Sequence, residues 1–586
     1  MPELAQWCPT LNLLSFTVIL PLLGAGGVFL ASFLFNRLDR WDVERGRLWT
    51  FIAALAVAAL TCASVLVLKG RGSAPPPLSQ ARPSPLIETV VRFHLDPTLW
   101  PIAVVFSLVA CSFLLAEFGR LAEFAASAAS ACKSSPSLRL TALVLVLLAF
   151  GLAALWSATP LATIVSWALY DLFLMLGQIA GGARRGESVR ALALGTAASL
   201  LLWAGVLVAG DGTGSVQWPL MPPGGTKMAF WMVAGLLRIG VYPLHLSMPA
   251  RLDDSLPLVM SLFLSPVIGW GLLGRLAVAN GGPLPVSPWM VTPALLTLMM
   301  GGVLAWTAKS SREARPWIAM GANGAILLSS ILVSLLGGGP GTDENGAVPI
   351  LVMGAVSWML GVTVLFLADG LVLPKALNWR AVPLISPLVG ALSLIGAPIT
   401  LGFVAESYLM GGLMNLGHWY WGVGFFVGQT FLVAAVSRWL FPPTHPEKAE
   451  STSLEQLAPA AGSIGAALVL TVGGLVPSSL LSESAPPSLW GLFARPSLVG
   501  WLLWVGALLL GGVIAWQDAS IRPKISLWLD AFHGVVRLNW AWDLLTDAVD
   551  RGLLVVRIVD GILGGRGALL WSFIVCLIVI LAWRAS

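Results

Sequence analysis

The sequence predicts an all-α polytopic membrane protein of about sixteen transmembrane helices, and three observations carry that prediction. Hydrophobic residues make up 57% of the 586 positions and charged residues only 10%, too little charge to keep a soluble chain of this length dispersed. Many apolar runs exceed the roughly 18 residues that cross a bilayer. Tryptophans collect near the ends of those runs (Trp49, Trp100, Trp218, Trp289, Trp419, Trp421), as an interfacial belt requires. The alternating polar and apolar strands of an outer-membrane barrel are absent.

Sixteen spans are expected near 12–35, 48–69, 99–117, 138–157, 159–181, 189–209, 228–248, 256–279, 288–308, 316–337, 347–368, 383–410, 419–440, 459–482, 498–516 and 567–584. The first run, Leu11–Phe35, lacks the basic flank and cleavage site of a signal peptide and is expected to stay as the first helix. Charge asymmetry supports the count. With the N-terminus outside, 24 Lys/Arg fall on the inner side and seven on the outer side, and Arg238 and Arg275 lie within spans. That is the bias of the positive-inside rule, and an even number of spans puts the C-terminus outside too. The net charge of +5 is a matter of topology, and no nucleic-acid partner is expected.

Gly70–Pro85 reads as a Pro/Ser-rich outer loop and Pro442–Glu455 as a charged inner linker. In Ile525–Gly564, apolar Trp528, Leu529, Phe532, Val535 and Val536 alternate at helical spacing with Asp530, His533 and Arg537. The segment is either an amphipathic helix on the membrane or a partner, or a solvated connector to the last span. Five segments follow: N-terminal helices (1–137), two halves that each hold a broken helix (138–282 and 283–441), further core helices (442–516), and an amphipathic segment with a last span (517–586). The five cysteines, at 8, 62, 111, 132 and 576, form no CxxC or paired pattern. No metal and no cofactor is expected on this chain, and no catalytic residue.

The candidate functional residues are charges at membrane depth, which cost at least ~2.5–3.5 kcal/mol on insertion scales and so face protein or a water-filled path. Arg238 lies mid-run in Phe230–Ala250, followed by Pro243, which is expected to break the helix, and by His245. Asp171 sits about twelve residues into its own span. An Asp171–Arg238 pair would offset part of the desolvation cost, either as a static lock between helices or as a working element. Arginine keeps its proton, so Arg238 can bias a neighbour but not carry protons. Glu406 follows Gly396, Pro398 and Gly402, which are expected to bend the chain just before this carboxylate, and a buried glutamate there is expected to carry protons. His245 is either an interface residue or a relay. Arg275 is expected to snorkel from the outer end of its span.

At these residues the chain resembles the antiporter-like subunits of respiratory complex I (NADH:quinone oxidoreductase) and of Mrp-type cation/proton antiporters. GLLRIGVYPLHLSMPARLDDSLP is similar to the family's seventh-to-eighth helix signature, SSREARPWIAMGANGAILL to its approach to the tenth helix, and SLIGAPITLGFVAES to its broken twelfth helix. FHLDPTLW, with Asp96, resembles the opening of the third helix. LNWAWDLLTDAVDRG resembles the C-terminal extension of the long distal member. The resemblance covers about residues 90–440 plus the extension. It implies a fourteen-helix core of two inverted five-helix repeats, each with a broken helix, in an inner (plasma) membrane. It also implies a non-redox subunit that couples quinone reduction on other chains to proton translocation. Alternatives are a cation/proton antiporter or ion-coupled uptake subunit, and a non-conducting scaffold. The implied partners are other membrane subunits, lipid, and protons or sodium.

In that reading Asp171 and Arg238 form a bistable ion pair and Glu406 is the proton-loading site. The chain departs from the family at several places. Asp171 stands where the family has glutamate and Arg238 where it has lysine. The eighth helix, Leu256–Ala279, offers Ser261, Ser265 and Pro266 instead of a mid-span base. Trp358 and Val362 stand near the eleventh helix's basic positions, so the central proton wire is expected to be interrupted there.

Overall fold

The computed structural model describes residues 2–35, 40–70, 93–126, 138–180, 185–210, 218, 225–247, 265–336, 347–367, 382–413, 419–440, 453–480 and 489–563. Apart from one isolated bridge between Phe93 and Ser157, every regular element among them is helical. The early helices are α1 (Pro2–Phe35), α2 (Arg40–Val67), α3 (Trp100–Ala126), α4 (Leu138–Trp156), α5 (Pro160–Ala180) and α6 (Arg185–Val208). Then come α7 (Thr226–Ile239), α8 (Pro266–Ala279), α9 (Val291–Thr307), α10 (Ser311–Leu335), α11 (Val348–Leu367), α12 (Val382–Leu394) and α13 (Phe403–Gly412). The series closes with α14 (Trp419–Leu440), α15 (Ser453–Leu475), the short α16 (Leu489–Ala494), α17 (Leu498–Val536) and α18 (Asn539–Leu563). Eleven of the described helices are long and apolar enough to cross a membrane, so the chain is an all-α, multi-pass membrane protein.

Each expected span from 12–35 to 498–516 contains a helix, with changes at several ends. The third continues to Ala126, past its expected end at 117, and the fifteenth to Val536, past 516. The expected linker yields its last residues to α15, which begins at Ser453. The last span (567–584), the first part of the eighth (256–264) with Ser261, most of the Gly70–Pro85 loop and residues 442–452 lie outside the described residues.

Residues 1–524 and 525–586 form two compact units. In the first, α11 is the centre. All its residues from Val348 to Leu367 are buried, which suits a helix apolar on every side, and α3, α8, α10, α12, α13 and α15 pack around it. Outer helices show the reverse. On α6, Leu200 and Leu207 are 63% and 55% exposed, which a bilayer tolerates because lipid tails are as apolar as leucine. In the second unit, α18 is amphipathic, with Leu544, Leu545 and Leu554 exposed along it.

Two arginines fasten the end of α9. Arg438 on α14 donates to the carbonyls of Trp306 (3.2 Å) and Ala308 (2.8 Å), and Arg522 on α17 donates to Ala308 (3.1 Å). The Asp518 carboxylate accepts from Arg522 Nε at 3.1 Å and is ion-paired with Arg438, whose Nε lies 3.2 Å away. Cations at a helix C-terminus satisfy its last carbonyls and oppose its negative dipole end.

Candidate ion-translocation site

Both expected helix breaks are present. In the seventh span the helix ends at Ile239, and Gly240 takes a left-handed conformation with φ +78°. The break therefore begins three residues before Pro243. The chain turns at 242–243 and resumes as a short 3-10 turn, Leu244–Ser247. In the twelfth span α12 ends at Leu394, the chain runs irregularly, and α13 begins at Phe403.

A break at membrane depth frees backbone groups that lipid cannot satisfy. Here side-chain amides from neighbouring helices take the exposed carbonyls. Asn323 on α10 donates Nδ2–H to Ile239 O at 3.2 Å, and Gln429 on α14 donates Nε2–H to Ile395 O at 2.7 Å. The second break is also tied down by Leu401 N–H, which donates to Leu470 O on α15 at 3.0 Å. Sequence reasoning marks neither amide as functional.

Asp171 on α5 and Arg238 on α7 meet as expected. Arg238 Nη1 and Nη2 donate to Asp171 Oδ1 and Oδ2, a bidentate pair, and the two side chains are 5% (Arg238) and 3% (Asp171) exposed. Arg238 Nη2 also donates to Gly195 O at 3.3 Å, and the guanidinium lies 4.5 Å from the centre of the Trp167 ring. The close approach of α6 depends on Gly195, since a Cβ there would come within 2.5 Å of Asp171 Oδ2. Arg238 Nε has no partner among the described residues.

Glu406 sits in the first turn of α13 and is 2% exposed. It faces a small cavity of about 10 Å³ lined by Ser357, Trp358, Ser393, Gly396 and Gly402. Its Oε1 has no partner among the described residues. Ser393 organises the cavity. Its hydroxyl is 2.8 Å from Ser357 Oγ and accepts the Gly402 N–H at 3.2 Å. Gly396 has φ +69°, and a Cβ there would lie 2.6 Å from Glu406 Cβ. Only glycine both makes this turn and leaves the glutamate its place.

His245 is buried on the short turn after the first break, stacked on Tyr242 (ring centres 5.1 Å apart) and edge-on to Trp317 (5.4 Å). Its ring thus packs among aromatic groups. Trp358 and Val362 are both buried on α11. Trp358 donates its indole N–H to Ala319 O at 2.9 Å, and Trp270 on α8 donates to Asn323 Oδ1 at 3.3 Å. Ala319 and Asn323 are one turn apart on α10, so two indoles lie against that helix with their N–H groups occupied.

Sequence reasoning misses or misplaces three charges. Arg275 does not snorkel: it is 6% exposed and donates to Ser157 Oγ at 2.8 Å, Thr163 Oγ1 at 3.4 Å and Leu155 O. The eighth helix therefore does carry a buried base, at its far end. Glu117, placed at the edge of the third span, is wholly buried because α3 runs on to Ala126. Lys227, counted with the outer loops, is 9% exposed in the first turn of α7. The signal for Glu117 is present in the sequence, since the helical pattern does not stop there.

No family model matches the chain, and no curated protein matches it. Solved structures do. One chain of the Mrp complex from Dietzia sp. DQ12-45-1b superposes with a TM-score of 0.69 at 16% identity over 98% of this chain. This chain spans 63% of that chain's length. A chain of the membrane-bound sulfane sulfur reductase, an archaeal respiratory membrane complex, superposes with a TM-score of 0.66 at 16% identity, over 98% of this chain and 100% of that one. The chain thus shares the fold of those two chains.

Proposed function

We propose that this chain is a proton-translocating, antiporter-like membrane subunit of a multisubunit energy-converting complex. The observation that carries the proposal is Glu406, a carboxylate at a broken helix, buried and facing a cavity, with one oxygen unpartnered among the described residues. Such a group can take up and release a proton without first breaking an ion pair. Asp171 and Arg238 supply a second charged centre at the first break, where Arg238 acts as a fixed cation that biases its surroundings. The indoles of Trp270 and Trp358 hold no exchangeable charge, which supports two separate stations over one continuous wire.

In this reading the driving reaction is quinone reduction on other chains of a complex I-type oxidoreductase, and this chain carries no redox group. The similarity to a chain of an archaeal respiratory membrane complex supports that assignment. The Lys/Arg bias supports an orientation with both termini outside, and the inner membrane is the location that goes with the complex I-type reading. The similarity to a chain of an Mrp complex favours a second reading, a cation/proton antiporter module in which sodium is exchanged.

The test is Glu406→Gln in the native complex reconstituted into vesicles, with proton translocation and the driving reaction measured together. We expect protons moved per turnover to fall while the complex still assembles. Unchanged stoichiometry would sink the conducting role and leave a scaffold. Sodium-dependent proton movement without any redox reaction would select the antiporter reading.

A further inference from the structure

A second cavity, edged by several polar side chains, lies away from both breaks, where α3 begins, α4 gives way to α5, and α8 ends. It has a volume of about 30 Å³ and is lined by His94, Asp96, Ser157, Trp218, Arg275 and Ala279. The segment before α3 is fastened over it. His94 N–H donates to Trp156 O at 2.7 Å, and Phe93 pairs with Ser157 in the isolated bridge. Three parts of the chain thus bring a histidine, a carboxylate, a hydroxyl and a buried guanidinium to one place.

From the Ser157 edge of the cavity, a line of buried side chains runs along one face of α5. Ser157 Oγ is 2.6 Å from Thr163 Oγ1, and Trp218 donates its indole N–H to the same Thr163 oxygen at 3.2 Å. Thr163, Trp167 and Asp171 follow at four-residue intervals, so they share a face, and all three are buried. Two turns, about 12 Å, separate Thr163 from Asp171. Trp167 fills the interval and carries the Arg238 guanidinium on its ring.

We propose that this cavity is a proton-exchange site serving the Asp171–Arg238 centre, with His94 the group that takes a proton from the adjoining aqueous face and passes it on toward the α5 face. The proposal rests on the proton-carrying reading of the chain. A neutral imidazole accepts a proton on its unprotonated nitrogen and becomes a cation; release restores it, and no other bond changes. Asp96 from the same segment and Arg275 from α8 are the charged groups facing it in the cavity, and the α4–α5 junction contributes the Ser157 hydroxyl. Burial holds the His94 pKa below its ordinary 6.5, with Asp96 pulling it up and Arg275 pushing it further down. The imidazole is therefore neutral, and ready to accept, at neutral pH. Arg275, held by Ser157, Thr163 and Leu155, is the fixed cation that ties the protonation state of the cavity to the α5 face.

The test combines two measurements on the native complex in vesicles. His94→Gln should lower proton translocation severalfold and abolish the change in rate below pH 6.5, while Glu406→Gln lowers the rate without removing that pH response. Ala279→Cys, in a background without other cysteines, should react with a membrane-impermeant maleimide from one face of the membrane, whether or not the His94 variant assembles. An assembled His94→Gln complex with unchanged rate and pH response would overturn the proposal, and so would an Ala279→Cys variant that the maleimide labels from neither face. If Glu406→Gln leaves pumping intact while His94→Gln alters it, the Glu406 reading fails and this one stands.

Discussion

Asp171 and Arg238 hold each other's charge in a place where water cannot. Each is more than nine-tenths buried, so removing one partner leaves an uncompensated charge, a loss of about 3–5 kcal/mol. Asp171→Asn should therefore lower the thermal stability of the purified complex by that order. The double variant Asp171→Asn/Arg238→Gln should recover most of the loss, because it removes the orphaned cation as well. Thermal unfolding of the single and double variants measures this, and a double variant no more stable than the single would show that the stranded charge is not the cause. The pairing itself was legible in the sequence, because two opposite charges in apolar runs have few other ways to be accommodated. The burial of Arg275 was not. Its position near a helix end is equally consistent with snorkelling, and only the convergence of α4, α5 and α8 decides between the two.

The two breaks are built alike. In each, a glycine with positive φ follows the end of the helix, and an amide side chain from another helix takes a carbonyl the break leaves bare. Glycine and proline announced where the chain would break, since their backbone preferences are local. The amides were invisible because Asn323 lies 84 residues from Ile239 and Gln429 lies 34 from Ile395, and nothing in a linear pattern links such pairs. Asn323→Leu and Gln429→Leu should each cost about 1–3 kcal/mol, the penalty of a buried acceptor left unmade. Hydrogen exchange should show faster opening of 240–247 in the first variant and of 395–402 in the second. Opening that stays at the wild-type rate in both would mean that something else holds the breaks.

Across the first unit, the Asp518 carboxylate, shared by Arg438 and Arg522, fixes α14 and α17 to the end of α9. The three side chains are at most 20% exposed, so the bonds are little diluted by solvent. Asp518→Asn should cost about 1.5–3 kcal/mol, the range for hydrogen bonds to charged groups. It should also speed hydrogen exchange at 515–523. An exchange rate there that does not change would mean that the arginine–carbonyl bonds suffice alone. The amides at the breaks have an electrical consequence as well. An amide carries no net charge, and the Asp171–Arg238 pair is neutral as a whole, so a transmembrane voltage does no net work by displacing either. Glu406 differs, because taking up a proton changes its charge. A full unit of charge crossing the membrane field is worth about 2.3 kcal/mol per 100 mV. The field thus acts on the occupancy of that one carboxylate, while the broken backbone that holds it stays electrically silent.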